Sequence, residues 1–298
     1  MNSISRDNNI LITGGGGYLG SKLAEKLVKY SFNIFLLDVS FNNLSKQLKC
    51  IYDNCKLYEC DITNYEHLSK ICNEIKPYII YHFAAVLERS RDFTFYKSLY
   101  KVNVEGTFNL LEALSGIDYL KFMFSSSSEV YGTSNKVPFS EDQIPYPASP
   151  YSLTKLMAEE LIKTYSSIKK KPYTIMRLFN FYGEDMPENF FYSQLINALK
   201  NNKEFKMTGG EQIRDFLPIE KVIEYIIKLS ETDKSNQIVV NICSGIGLKL
   251  KDFAEEIARK MKKEHLLKIG SLKYRENEVW NMVGDKKLLL NMITDYDL

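Results

Sequence analysis

The run Ser125-Ser126-Ser127-Ser128-Glu129-Val130-Tyr131-Gly132 is followed by Tyr151-Ser152-Leu153-Thr154-Lys155, and both lie downstream of Thr13-Gly14-Gly15-Gly16-Gly17-Tyr18-Leu19-Gly20. A tyrosine and a lysine four residues apart share one face of a helix, and Pro150 suits the first turn of that helix. An ammonium about 4 Å from the phenol, at an effective dielectric of about 20, favours phenolate by roughly 4 kcal/mol, or about three pKa units. Such a shift moves a tyrosine from about 10 toward neutrality, where it can work as a general base. On its own the pair is common on surface helices. Behind a dinucleotide site and beside a serine cluster it points to removal of a hydride and a proton from a carbinol.

The dinucleotide site is read from residues 10–13, a buried strand, with Gly14, Gly17 and Gly20 placed where the apolar pattern becomes helical. Glycine there allows a tight turn and brings backbone N–H groups close to a pyrophosphate. It also lets the helix pack on the strand, and the helix N-terminus favours the anion. A glycine-rich turn of purely structural meaning has the same local pattern. Asp38 ends the second strand pattern, where a carboxylate can accept hydrogen bonds from the adenosine ribose hydroxyls; a turn or capping aspartate is the alternative. Residues 39–43 contain no Arg or Lys to neutralise a 2′-phosphate, which favours NAD over NADP.

Strand patterns at residues 10–13, 33–38, 56–60, 78–83, 120–125, 173–179 and 238–242 alternate with helix patterns at 18–30, 65–76, 98–115, 151–169 and 219–230. The alternation predicts right-handed crossovers and a doubly wound α/β fold, a parallel sheet covered by helices on both faces. The beat breaks after Asn180 and again after Gly245, before a helix at 251–263. Segments inserted after the strands of an open sheet lie at its carboxyl edge, where ligands bind. The expected division is a dinucleotide-binding domain of residues 1–179 and 218–244, with a smaller substrate-binding lobe of residues 180–217 and 245–298. No internal repeat or low-complexity tract interrupts it.

With 298 residues, 45% of them hydrophobic and 26% charged, the chain can bury one large core and a lobe. The net charge of +2 comes from interspersed charges, and the basic runs at 169–171 and 262–263 fit solvated helix faces, so no nucleic-acid partner is expected. No signal peptide is evident, and no apolar run reaches the roughly 20 residues that span a bilayer. A cytoplasmic protein without a membrane partner is expected. Cys50, Cys55, Cys60, Cys72 and Cys243 are odd in number and form no C-x-x-C pair, which predicts free, reduced, structural thiols. His67, His82 and His265 are scattered, and His82 at a strand end reads as a packed or backbone-bonded residue, so no metal site is expected.

Further stretches join these: Asp61-Ile62, His82-Phe83-Ala84-Ala85, Asn103-Val104-x-Gly106-Thr107, Arg177-Leu178-Phe179-Asn180-x-Tyr182-Gly183 and Arg214-Asp215-Phe216. Together, over essentially the whole chain, they resemble an extended short-chain dehydrogenase/reductase of the nucleotide-sugar epimerase/dehydratase family. The resemblance implies a Rossmann sheet and NAD. It places Gly14, Gly17, Tyr18, Leu19, Gly20, Asp38, Asp61, Ile62, Phe83, Ala84, Ala85, Asn103, Ser125, Tyr151 and Lys155 around the cofactor. It gives the proton abstraction to Tyr151, with Lys155 also holding the nicotinamide ribose and Ser127 bonding the reacting oxygen. Ser128, Glu129, Asn180, Arg214 and Arg275 would contact the substrate, the last three at its diphosphate, which suits the fork of a guanidinium. For Asn103 a plain helical role stays open, and for Arg275 a structural one.

Relatives share oxidation of a sugar hydroxyl, commonly at C4, and differ in the fate of the keto sugar. In related 4,6-dehydratases an Asp and a Glu follow the catalytic Thr. Here Ser128 stands at the Asp position, and a hydroxyl poorly replaces an acid in protonating a leaving group. Glu129 fits decarboxylases, keto-reductases and some epimerases alike, or an anchor for the backbone. A 4-epimerase makes the fewest demands; a C4 dehydrogenase or 4-keto reductase uses the same parts, a glucuronate-type decarboxylase ranks behind, and a non-catalytic NAD-binding regulator is distant. The charged loop at 86–97, with Glu88, Arg89, Arg91 and Asp92, fits a charged or extended sugar and equally a solvated loop. The C-terminal portion is shorter than in most relatives. The resemblance also implies a surface-polysaccharide pathway, and a homodimer or homotetramer packed through the helices at 98–115 and 151–169, with Leu110, Leu111, Leu156, Leu161 and Ile162 on a second buried face.

Overall fold

The computed structural model describes residues 8–30, 32–42, 53–88, 90–133, 136–275 and 278–293; Asn43, Cys50 and Arg89 lie outside them. Strands β1 (Asn9–Thr13), β2 (Asn33–Asp38), β3 (Cys55–Glu59), β4 (Ile79–His82), β5 (Lys121–Ser127), β6 (Thr174–Leu178) and β10 (Ile238–Ile242) pair in the order β10-β6-β5-β4-β1-β2-β3. Every ladder in this sheet is parallel. Strand order reverses between β1 and β4, the point in an open α/β sheet where a crevice forms.

Period-two alternation sends Ile10 and Ile12 to one face of β1 and Leu11 to the other. On the first face they join Leu23 and Leu27 of α1 (Tyr18–Val28), Val222 and Ile226 of α7 (Ile219–Glu231), and Leu289 and Met292 of α9 (Lys287–Ile293). On the second, Leu11, Ile80 and Phe124 meet Leu68 of α2 (Tyr65–Ile75), Leu110 of α4 (Gly106–Ala113) and Ile162 of α5 (Pro150–Lys169). Both faces of the central strands are thus covered, which explains their nearly unbroken apolar runs. The helix expected at 98–115 is divided: α3 (Tyr96–Tyr100) leads through a π turn at Lys101–Glu105 into α4.

Leu110, Leu111 and Ile162 correct the expectation of a second apolar helix face, because all three are buried inside this core, while Leu156 and Leu161 are half-buried. The apolar side chains exposed on those helices are Tyr100, Phe108 and Ile168.

After β6 the chain builds a smaller unit. In it β9 (Ile213–Pro218) pairs in parallel with β7 (Asn180–Tyr182) and β13 (Asn281–Met282), and antiparallel with β11 (Gly247–Lys249). Strands β8 (Phe205–Lys206) and β12 (Leu267–Lys268) form a separate pair. Leu195 and Leu199 of α6 (Phe191–Lys200) pack with Phe205 and with Phe253 and Ile257 of α8 (Leu250–Lys260). The fully buried Asp215 carboxylate fastens this unit. It accepts from Ser244 N at 2.7 Å, Ser244 Oγ at 2.6 Å, Gly245 N at 2.9 Å and Gly284 N at 3.3 Å. Helix α9 departs from the expected division, since it packs under the large sheet and not in the lobe.

Cys60, Cys72 and Cys243 are buried, Cys55 is half-buried, and all four are free thiols. Among the described residues no helix is long and apolar enough to cross a membrane.

Candidate active site

Gly14 follows β1 at φ +69°, and a Cβ on it would lie 2.6 Å from the Ala84 nitrogen, so the close approach of two strand ends requires glycine there. Gly17 N donates to Gly14 O at 3.0 Å and precedes α1, whose N-terminus carries no side-chain cap. The N–H groups of that first turn are therefore available to an anion. Gly20 packs against the turn: a Cβ on it would meet Gly14 O at 2.3 Å. At the end of β2, Asp38 accepts from Gly16 N through Oδ2 at 2.9 Å and from Val39 N through Oδ1 at 2.7 Å. Burial raises its carboxyl from the ordinary value against these backbone donors, and its remaining lone pairs can take ribose hydroxyls.

Asp61 is exposed just beyond β3 and accepts from Thr63 N at 2.8 Å, whereas Ile62 is buried against Gly106. Gly14, Gly17, Asp38 and Asp61 thus follow the carboxyl ends of β1, β2 and β3, a track that fits an extended dinucleotide. Tyr18 turns aside: its Oη donates to Glu184 O at 3.0 Å and its ring stacks on Phe181 at 6.2 Å. Asn103, in the π turn, is buried and fully engaged. Its Oδ1 accepts from Val86 N at 2.8 Å, and its Nδ2 donates to Val86 O and to Thr154 Oγ1, each at 3.1 Å. It holds the loop after β4 in place.

A cavity of about 330 Å³ opens at the switch point, walled by Leu19, Phe83, Ala85, Ser125–Glu129, Tyr151, Lys155 and Asn180. Ala84, between two of these, is half-buried. Two elements deliver the reactive groups. β5 ends in the serine run, where Ser125 Oγ donates to His82 O at 3.3 Å and Ser127 Oγ accepts from Glu129 N at 3.1 Å, which starts a short 3₁₀ turn. α5 opens with a capping box in which Ser149 Oγ accepts from Ser152 N at 3.1 Å and Ser149 N donates to Ser152 Oγ at 3.0 Å, with Pro150 at its first position. Tyr151 therefore lies in the first turn of α5, with Lys155 and Glu159 on successive turns of the same stripe.

Lys155 is buried, its Nζ 4.6 Å over the Phe124 ring. Burial pulls its ammonium down to about 7, against the raising influence of Glu159. Its charge in this site is therefore set by burial against the carboxylate one turn further along the helix. Glu159 is itself neutralised. Arg177 donates from Nε at 3.1 Å to Oε1 and from Nη2 at 2.8 Å to Oε2, and Ser126 Oγ donates to Oε1 at 2.5 Å.

A second cavity of about 480 Å³ shares Glu129, Asn180 and Met282 with the first and adds Ser90, Arg91, Ser149, Ser152, Arg214, Arg275, Glu278 and Val279. Arg214 Nη2 donates to Glu278 Oε1 at 2.7 Å; burial lowers the guanidinium from its ordinary value and Glu278 opposes that. Arg275 is exposed at the rim. The Asn180 amide nitrogen is buried with no hydrogen-bond partner. Ser128, in the wall of the first cavity, donates its Oγ hydrogen to Met282 Sδ at 3.1 Å. Glu129 Oε2 accepts from Ser149 Oγ at 3.5 Å. The sequence reading missed Ser149 and Ser152, although Ser-Pro-x-Ser before an apolar run is a legible helix start. It had no signal for Glu278 or Met282.

A family model described as GDP-mannose 4,6 dehydratase matches residues 11–289. The chain is 28% identical to the UDP-glucose 4-epimerase of Rhizobium meliloti (strain 1021), covering 98% of this chain and 94% of the relative. It is 26% identical to the GDP-6-deoxy-D-talose 4-dehydrogenase of Aggregatibacter actinomycetemcomitans, covering 96% and 92%. Among solved structures, the UDP-glucuronic acid 4-epimerase from Bacillus cereus, in complex with UDP-glucuronic acid and NAD, superposes with a TM-score of 0.86 at 26% identity, covering 96% of this chain and 93% of that one. The family match spans the glycine turn, the serine run and the Tyr151 helix. The chain belongs to the GDP-mannose 4,6 dehydratase family of extended short-chain dehydrogenases/reductases and is an enzyme of that family.

Proposed function

We propose that this enzyme oxidises C4 of a nucleotide-diphosphate sugar with NAD and acts as a nucleotide-sugar 4-epimerase. The observation that carries this reading is the meeting of Ser127, Tyr151 and Lys155 in one cavity, next to a second cavity bearing Asn180, Arg214 and Arg275. Glycine turn, uncapped α1 and Asp38 fit NAD, which when bound supplies the hydride acceptor. Ser127 Oγ already accepts from Glu129 N, so its own proton is left to donate to the sugar C4 oxygen. Tyr151 takes the proton from that oxygen, and the Lys155 ammonium balances the phenolate. Arg214 and Arg275 grip the diphosphate, and the unpartnered Asn180 amide donates to it. Held by its diphosphate, the keto sugar can turn over and receive the hydride on the other face.

Elimination of water is disfavoured because Ser128, at the acid position, spends its hydroxyl on Met282. The likeness to a GDP-6-deoxy-D-talose 4-dehydrogenase keeps one-way C4 oxidation as the second reading. A homodimer packed through α3, α4 and α5 is part of the proposal, since these helices expose the apolar side chains Tyr100, Phe108 and Ile168.

Incubation with UDP- and GDP-hexoses and hexuronates, followed by chromatography and proton NMR, tests the reaction. A C4-inverted product without net change in added cofactor is expected. A 4-keto product formed in step with cofactor reduction would establish the dehydrogenase instead, and a 4-keto-6-deoxy product the dehydratase. Tyr151→Phe should keep bound NAD and lose turnover by at least about a hundredfold. Unchanged behaviour of that variant in every assay would mark a non-catalytic sensor.

A further inference from the structure

His82 is completely buried at the end of β4, opposite Thr13 in the β1 ladder, with the Phe122 and Phe124 rings at 5.8 and 5.6 Å. Its Nδ1 lies 2.7 Å from Thr13 Oγ1 and its Nε2 lies 2.9 Å from Thr107 Oγ1. The neighbours fix where its proton is. Thr107 has one hydroxyl proton and donates it to Asn103 O at 2.7 Å, so toward His82 it can only accept, and Nε2 carries the hydrogen. Nδ1 is then an acceptor, filled by the Thr13 hydroxyl, which itself accepts from Ala84 N at 3.3 Å. The donations run one way: Ala84 N to Thr13, Thr13 to His82, His82 to Thr107, Thr107 to Asn103 O.

That chain joins the two halves of the site. Thr13 leads directly into the Gly14 turn. Asn103, whose carbonyl ends the chain, also donates from its amide to Thr154 Oγ1, and Thr154 Oγ1 donates to Tyr151 O at 2.8 Å. We propose that His82 is a positioning residue, a neutral imidazole protonated on Nε2 that holds the glycine turn and the Tyr151 helix in one fixed relation. A second proton on Nδ1 would break the Thr13 bond, and burial with the nearby Lys155 charge holds the imidazolium far from formation, at about 3. The part concerning Tyr151 rests on the function proposed above.

The test has two arms. In protein labelled with ¹⁵N-histidine, the His82 signals, assigned as those that persist when exposed His67 and His265 are each replaced by Gln, should show a protonated Nε2 and an unprotonated Nδ1, unchanged between about pH 5 and 8. A proton on Nδ1, or titration in that range, overturns the proposal, and this arm needs neither a variant that folds well nor a known sugar. The second arm divides the chain. In His82→Asn the side-chain oxygen stands where Nδ1 stood and keeps the Thr13 bond, whereas in His82→Gln the side-chain amide nitrogen stands where Nε2 stood and keeps the Thr107 bond. His82→Asn should bind NAD within about twofold of the parent and lose about tenfold in turnover. His82→Gln should bind NAD about tenfold more weakly, with turnover at saturating NAD little changed. Equal losses of both properties in both variants would mean plain packing and overturn the proposal. Should no nucleotide sugar turn over even in the parent, the function reading fails, while the tautomer and NAD-binding results still decide the role of His82.

Discussion

Lys155 gives the sharpest test of the site's electrostatics. Its ammonium has an ordinary value of 10.5, and burial brings it down to about 7. A lysine depressed on folding is charged in the native state only below the lower value, and in the unfolded chain up to the higher one. Between them the unfolded state binds one more proton, so stability rises with pH by about 1.4 kcal/mol for each pH unit. From pH 7, where the native lysine is still half protonated, to pH 9 that is about 2.3 kcal/mol. Lys155→Met fills the same space and has no such dependence. Urea unfolding of NAD-free parent and variant at pH 7, 8 and 9 isolates the effect, because the other titrating groups are common to both. The parent should gain on the variant at each step. A difference that stays flat, or one that shrinks as pH rises, would refute a buried lysine poised near neutrality.

Glu159→Ala leaves the Arg177 guanidinium buried without its carboxylate, and urea unfolding should register a loss of about 3–5 kcal/mol with an unchanged denaturant slope. Gly14→Ala sets a Cβ against Ala84 at a positive φ, so the purified variant should retain its far-ultraviolet circular dichroism and yield no NAD by mass analysis on denaturation. Asp215→Ala removes four hydrogen bonds from the strands beneath Arg214; we expect a raised KM for the nucleotide sugar, greater than any change in NAD affinity, by initial-rate kinetics. Light scattering should find a dimer for the parent chain and a monomer for Phe108→Glu combined with Ile168→Glu.

The large sheet was legible because its central strands are apolar runs bounded by turn residues, a pattern imposed by two-sided burial; the exposed edge strand β3, Cys-Lys-Leu-Tyr-Glu, carries it least. The Tyr151 helix was equally plain, from Pro150 and from the periodicity after it. The small sheet was not. Its strands are two to six residues long, too short to establish a period, and they are assembled by Asp215 from partners 29, 30 and 69 residues away. The π turn at Lys101–Glu105 was hidden for another reason: Lys-Val-Asn-Val-Glu carries no local signal that distinguishes a π turn from a continuing α-helix. The pairing of Arg214 with Glu278 spans 64 residues and leaves no local trace. The hydrogen-bond chain through His82 was likewise out of reach, since a histidine after an apolar strand looks the same whether it is packed, ligating or relaying.

The seating of α9 beneath the large sheet changes how the lobe can move. The chain leaves the main body after β6, returns at α7, leaves again after β10 and returns at α9, so the smaller unit is strapped down at four crossings. This wiring opposes the wide clamshell swing available to a lobe hung on a single strand, and it confines relative motion to a shallow rocking.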